Sequence, residues 1–230
     1  MEDNNLTNRK ITDEGWDEHA EDWVYKGKRD AIPVPAFEQF YQTHRVDFKT
    51  ALDIGCGDGR FLIPMVQDGL NVIGVEPSPK RKAATEENLG RAELAGKATI
   101  IQGDSKDLGF AKDESIDWVF SKGAIHHNTW AGIQQSFKEV ERVLRSGGFF
   151  LFQCRSTNDS ALKRSEMVPD FGQTAKELTG WKKGMIQHYF TKEELEKLAR
   201  ENGFEIALGP EERISEKKAA RWWVVYRKPE

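Results

Sequence analysis

The chain is poor in cysteine, in uninterrupted apolar sequence and in net charge of either sign. Cys56 and Cys154 are its only cysteines. Two thiols so far apart give neither a disulfide framework nor a metal-binding spacing, and the expectation is a reduced, cytoplasmic setting with no metal. No run approaches the roughly 18 apolar residues that a membrane-spanning helix requires, so no membrane contact is expected. The opening stretch, "MEDNNLTNRKITDEGWDEHAEDW", is polar and acidic and lacks the apolar run of a secretory signal. A formal charge of −4 gives no overall pull toward nucleic acid or an anionic membrane, leaving only a local basic patch for such contacts. Internal repeats and low-complexity linkers are also missing. What is present is 230 residues, 38% hydrophobic and 31% charged, the profile of a soluble chain long enough for one well-filled core.

Short β-rich runs alternate with longer helical stretches. The runs at 51–54, 71–75, 98–101, 116–120, 147–154, 204–208 and 221–228 read as strands, brief and bounded by Gly, Asp or Ser. They do not alternate strictly, as expected for strands buried on both faces. Between them, Ile133, Phe137, Val140 and Leu144 form one helical face, which "RSGG" ends with Gly147 as a left-handed cap. Residues 80–96 give another helix. Thr191 and Glu194 form a capping-box pattern, followed by Leu195, Leu198 and Ala199, with Gly203 as the stop. The pattern predicts an α/β fold with a mostly parallel sheet and helices on both faces. The last two strands are too close for a helix between them, so they form a hairpin with one member antiparallel.

The whole chain is expected to be one domain. Residues 1–46 form an N-terminal helical cap and 47–154 a cofactor-binding core. Residues 155–190 form a substrate lid or helical insertion, too long for an ordinary connection. Residues 191–230 form the final helix and strand hairpin.

The stretch "ALDIGCGDGR" (51–60) carries the chemistry. Read as strand, turn and helix, it lets Gly55 and Gly57 take positive φ and bring a ligand close to the backbone. A helix starting near Gly59 would present free N–H groups there. Glu76 ends the next strand, where a carboxylate can accept from both hydroxyls of a ribose. A dinucleotide fingerprint needs a third glycine at its sixth position, where Arg60 stands. Asp53, just before the turn, suits a ligand with an amino group rather than a pyrophosphate.

With these motifs the sequence resembles the class I S-adenosylmethionine-dependent methyltransferases. "LDIGCGDGR" is similar to their first motif, "VIGVEPS" to the second and "GDSKDLGF" to the third. "IDWVFSKGAIHH" and "EVERVLRSGGFFLF" follow in register. Ser146 replaces the family's usual proline. The resemblance covers about residues 50–154, and more loosely 188–206. It implies a Rossmann-like, doubly wound fold with a seven-stranded sheet and an antiparallel C-terminal strand, and S-adenosyl-L-methionine as cofactor. Carried over by position, it places Asp53 near the methionine amino end. It packs Gly55, Cys56 and Gly57 against the cofactor, and sets Glu76, followed by Pro77, on the ribose. Asp104 falls at the adenine amino group with Ser105 beside it, and Ser121 near the methionine part and the substrate. An N-terminal helix folded over the pocket would bring an aromatic such as Trp23, with Trp16 and Tyr25 as neighbours.

Methyl transfer needs a general base only if the nucleophile carries a proton it must lose. His126 and His127, after the fourth strand, are the candidates; packing or capping of the next helix is the other reading. Trp130, Trp181, His188 and Tyr189 are candidates for the acceptor pocket, and the cysteines also read as small apolar fillers. The favoured partner is a small-molecule methyl acceptor. An RNA (tRNA) methyltransferase is the alternative, with "KKAARWWVVYRK" (217–228) as a base-stacking cluster or, more plainly, a core strand. A non-catalytic S-adenosylmethionine-binding module and a nicotinamide dehydrogenase are the further alternatives. "SKGA" stands where amino-methylating relatives carry "NPPY", which argues against that branch.

Overall fold

The computed structural model describes Glu14, Asp17, Glu18 and residues 32–169, 172–180 and 182–230. Trp16, Trp23, Tyr25 and Trp181 lie outside the described residues.

The strands β1 (Thr50–Ile54), β2 (Asn71–Glu76), β3 (Ala98–Gln102), β4 (Ile116–Lys122) and β5 (Leu144–Ser156) are parallel, in the spatial order β3-β2-β1-β4-β5. The final hairpin, β9 (Glu205–Ile214) and β10 (Ala220–Arg227), adds two more, with β10 antiparallel against β5. This is the expected seven-stranded arrangement with its antiparallel C-terminal strand. The segment "KKAARWWVVYRK" is therefore a core strand: Trp223, Val224, Val225 and Tyr226 are all buried.

The apolar residues divide between the two faces of the sheet by strict alternation. Leu52, Val119, Phe150, Phe152, Val224 and Tyr226 face one side, where the helices α4 (Trp130–Val143) and α5 (Lys192–Glu201) add Phe137 and Leu195. Ala51, Trp118, Phe120, Leu151, Trp223 and Val225 face the other. There α1 (Pro35–His44), α2 (Leu62–Gln67) and α3 (Pro79–Arg91) add Phe37, Leu62 and Leu89. Neighbours in sequence point to opposite sides, so a strand buried on both faces is a continuous apolar run. Phe137 meets Phe150, Phe152 and Tyr226 edge-on at 5.3, 5.3 and 5.6 Å, a favoured geometry for aromatic pairs.

Local signals fix the helix ends. Ser78 caps α3 by accepting from the Arg81 N–H at 3.1 Å, with Pro79 opening the helix. Thr191 and Glu194 make the full reciprocal capping box of α5. Two expectations change. The helix α4 ends at Val143, and Gly147, though at φ +74°, lies inside β5 instead of capping the helix. Its positive φ falls near the register shift where β5 meets β4, so it serves a strand irregularity. The helix after the glycine turn begins at Leu62 and is only six residues long.

Residues 155–190 are not a helical insertion. Their described residues form β6 (Ser165–Met167), β7 (Thr174–Glu177) and β8 (Ile186–Phe190), an antiparallel meander with a 3₁₀ turn at Leu162–Arg164. Its attachment positions the site. Along one edge of β5, pairing with β4 ends at Lys122 and Gln153. Pairing with β8 then begins at Arg155 and Tyr189 and continues to Ser156 and Phe190. The lobe thus stands on the sheet just beyond the carboxyl end of β4.

Candidate functional site

A cavity of about 820 Å³ opens at the carboxyl ends of β1, β2, β4 and β5, where ligands bind in open α/β sheets. The turn after β1 forms its floor. Gly55 has φ +73° and Gly57 φ +62°, conformations that side chains resist. A Cβ on Gly55 would stand 2.3 Å from the Ala124 Cβ, and one on Gly57 would stand 2.7 Å from an Arg81 Nη. The Gly57 N–H donates to Glu76 Oε2 at 2.9 Å, and the Ser78 N–H donates to Oε1 at 3.1 Å. Two backbone donors therefore hold the Glu76 carboxylate, which lines the cavity together with Pro77. Asp17 accepts from the Ser78 hydroxyl, so the N-terminal segment reaches the start of α3 beside this edge.

Asp104 and Ser105 line the cavity after β3. The Lys106 ammonium donates to Asp104 Oδ2 at 2.8 Å and to Asn128 Oδ1 at 2.9 Å, tying the β3 turn to the β4 turn. Ser105 pairs with the Ser136 hydroxyl at 2.8 Å. Asp53 lies just behind the floor: it is buried and does not itself line the cavity. Burial, then the nearby Glu76 and Asp58 carboxylates, push its pKa up to about 8. A cation entering this end of the cavity would favour its ionised form.

Ser121 is fully buried and does not line the cavity. It shares the strand face of Val119, which points into the core, and the next residues, Lys122 and Gly123, supply the lining instead. Cys56 lines the cavity but is buried beside the Thr85 hydroxyl, and burial raises its thiol pKa well above the ordinary value. Such a thiol is a filler, not a nucleophile.

His126 and His127 both line the cavity, with ring centroids 4.4 Å apart. Burial drives both pKa values well below the ordinary range, and the charges of Arg155, Lys182 and Arg221 push the same way. Both rings are neutral near pH 7. They also hold the lobe: the His126 carbonyl accepts from the His188 N–H at 2.7 Å, and His127 Nδ1 lies 3.3 Å from the Ile186 carbonyl oxygen. Trp130, His188 and Tyr189 do not line the cavity. Trp130 packs on His188 at 5.1 Å, and Tyr189 is buried under the Arg155 guanidinium. Among the described residues no group of three side chains is arranged to hold a metal ion, and no helix is long and apolar enough to cross a membrane.

Residues 52–152 match the family model for a methyltransferase domain. Over that region the chain resembles the methyltransferase domains of S-adenosylmethionine-dependent enzymes. It is 30% identical over 128 residues to the "Probable S-adenosylmethionine-dependent methyltransferase CRG1" of Saccharomyces cerevisiae, covering 56% of this chain and 43% of that protein. It is 33% identical over 136 residues to an uncharacterised methyltransferase of Synechocystis, covering 56% of this chain and 60% of the other. The matched region thus spans about half the length of these relatives. In fold, the chain resembles a methyltransferase structure from Methanosarcina mazei, with TM-score 0.70 and 20% identity over 86% of this chain and 99% of that one. It also resembles the 1,6-didemethyltoxoflavin-N1-methyltransferase of Burkholderia thailandensis, with TM-score 0.71 and 15% identity over 98% and 91% of the two chains.

The residues present fit the S-adenosylmethionine that the methyltransferase-domain match implies. The floor has room for no side chain at Gly55, and Glu76 is an oriented acceptor at a strand end. Several lining residues were missed by reading the sequence: Arg81, Gln153, Arg155, Lys182 and Arg221. One signal was available for Arg155. It directly follows the run 147–154 read from the sequence as a strand, and strand-end position was the criterion that picked out Glu76. Arg221 opens the last strand, and only the antiparallel register brings it to the cavity.

Proposed function

We infer that this protein transfers a methyl group from S-adenosylmethionine to a small-molecule acceptor held between the β4 turn and the β6–β8 lobe. The observation that carries this reading is the cavity itself. One continuous space runs from the glycine floor and Glu76 to His126, Arg155 and Lys182. Its volume falls within the roughly 300–1,000 Å³ of small-molecule sites.

When bound, S-adenosylmethionine supplies a methyl group on a sulfonium, which the acceptor's nucleophilic atom takes as the sulfur leaves as a neutral thioether. The protein's part is to bind, align and exclude water. Glu76, fixed by two backbone donors, accepts the ribose hydroxyls. Asp104, held by Lys106, accepts from the adenine amino group, and Asp53 offsets the methionine ammonium. His126 and His127, neutral near pH 7, hold the lobe against the β4 turn and are available to accept a proton. Their depressed basicity suits an acceptor that is already acidic. The Burkholderia enzyme of the same fold was solved with 1,6-didemethyltoxoflavin and S-adenosylhomocysteine bound, which supports a small molecule in this architecture. The burial of Trp223 and its neighbours in β10 removes the base-stacking cluster on which an RNA substrate rested.

Calorimetric titration with S-adenosylmethionine and, in parallel, NADH tests the first half. Micromolar binding of the first alone is expected, and binding of NADH alone would sink the reading. Transfer from labelled S-adenosylmethionine to a small-molecule panel, with tRNA as the other arm, tests the second half; labelling of tRNA alone would overturn it.

A further inference from the structure

The cavity carries a surplus of positive charge that cofactor binding does not use. Arg155 and Arg221 are direct cross-strand partners in the β5–β10 ladder, so their side chains leave the same face of the sheet. Like charges in that relationship repel. A single buried acid, Asp159, serves both: it accepts from Arg155 Nη1 at 3.2 Å and from Arg221 Nη1. The same carboxylate also accepts from the Ala161 N–H at 2.8 Å and the Ala220 N–H at 3.1 Å. One carboxylate cannot balance two guanidiniums. Lys182, from the lobe, lines the same space. Burial and then Arg155 bring its ammonium down to about 7, against the opposing pull of Glu177, whose carboxylate already accepts from Gln187. Arg221, also lowered by burial and Arg155, stays near 10 and remains a cation.

Among the described residues, Arg155 Nε and His126 Nδ1 are buried polar atoms of the cavity lining with no hydrogen-bond partner. Arg155 is 8% exposed and His126 2%. Leaving a guanidinium N–H unpartnered at this depth is unfavourable, a cost that a bound oxyanion would relieve. The sheet order separates these groups from the glycine floor by the whole of β4, so they face the acceptor's side of the cavity.

We propose that the methyl acceptor is a small organic acid whose carboxylate or phosphate oxygens seat on Arg155 and Arg221. This rests on the methyltransferase reading for the word acceptor; the anion site itself does not. The depth of Arg155 excludes a polymer backbone and admits a compact group. Arg donors in pairs suit planar or tetrahedral oxyanions equally, so both chemistries enter the test.

The probes are benzoate, phenyl phosphate and the neutral isostere benzamide, read by ligand-observed saturation-transfer NMR on the full chain at low salt. At least one of the two anions is expected to bind about tenfold or more tightly than benzamide, and the tighter one identifies the oxyanion. In Arg221→Gln that preference should fall to within about twofold, while S-adenosylmethionine affinity by calorimetry stays within about twofold of wild type. Arg155→Lys, which retains the charge, should keep the preference. Equal binding of all three probes to the wild-type protein overturns the proposal without recourse to any variant. So does an equal loss of S-adenosylmethionine affinity in Arg221→Gln, which would assign the cations to the cofactor's own carboxylate. Anion preference in a protein that does not bind S-adenosylmethionine would keep the site and remove the methyltransferase reading.

Discussion

Gly55 lies against Ala124 so closely that a Cβ on the glycine would stand 2.3 Å from the alanine Cβ. The contact locks the turn after β1 to the turn after β4, and the floor of the cavity is the surface they share. Gly55→Ala adds both this clash and a side chain at φ +73°. The variant should lose about 1–3 kcal/mol of stability, read by denaturant unfolding, and its S-adenosylmethionine affinity should fall sharply. Wild-type stability and affinity together would show that the turn has slack.

Glu76 is fixed by the Gly57 and Ser78 N–H groups. On the proposed reading Glu76→Ala removes the ribose acceptor, and it strands two backbone donors. Calorimetry should show S-adenosylmethionine binding weaker by about 1.5–3 kcal/mol, the scale for hydrogen bonds to a charged group. Glu76→Gln, which keeps one acceptor oxygen, should lose less. Equal, negligible losses would place the ribose elsewhere.

Asp53 has a folded-state pKa of about 8, against roughly 3.9 when unfolded. Between these values the folded state binds more protons, so this group's contribution falls as pH rises from about 4 toward 8 and is most favourable below that window. Asp53→Asn removes the dependence. Its stability relative to wild type should improve between pH 5 and pH 8, measured by urea unfolding at both. A variant whose stability relative to wild type falls or stays constant over that interval would contradict the raised pKa. For the same reason, S-adenosylmethionine binding near pH 7 should release protons, seen as a dependence of the calorimetric heat on the buffer's ionisation enthalpy.

His127 and His126 are both held neutral well below the ordinary histidine range. Turnover should therefore show no histidine titration between about pH 6.5 and 8. If His127 accepts a proton during transfer, His127→Ala lowers kcat by about 10²-fold or more with S-adenosylmethionine affinity unchanged. If it serves only to hold Ile186, kcat survives and the unfolding midpoint drops instead.

The core was legible because its residues are governed by local chemistry. Thr191 and Glu194 announced the start of the last helix, and "ALDIGCGDGR" announced the floor. The alternating Phe150, Leu151 and Phe152 read as a run buried on two faces, and so they are. Ser121 shows where strand-end reasoning needs parity as well as position: one residue decides which face a side chain leaves. The β6–β8 lobe was not legible, because its strands are short and it is anchored by β8 at the end of the edge of β5 that β4 leaves open. Arg221 and Arg155 are distant in sequence, and no local pattern announces that a ladder makes them neighbours. Asp159, which holds both, carries no motif at all.

The shared edge of β5 has a further consequence. Because β8 takes up the ladder only after β4 has ended, and the Thr157 N–H extends it by donating to the Phe190 carbonyl at 3.1 Å, the lobe is grafted onto the sheet instead of hinged above it. It cannot swing away without breaking strand pairing, so ligands must enter and leave past its rim. Glu76 ends β2 and Asp104 follows β3, strands with which the lobe's described residues form no ladder, so the lobe bears on the cavity through the β4 turn and β5.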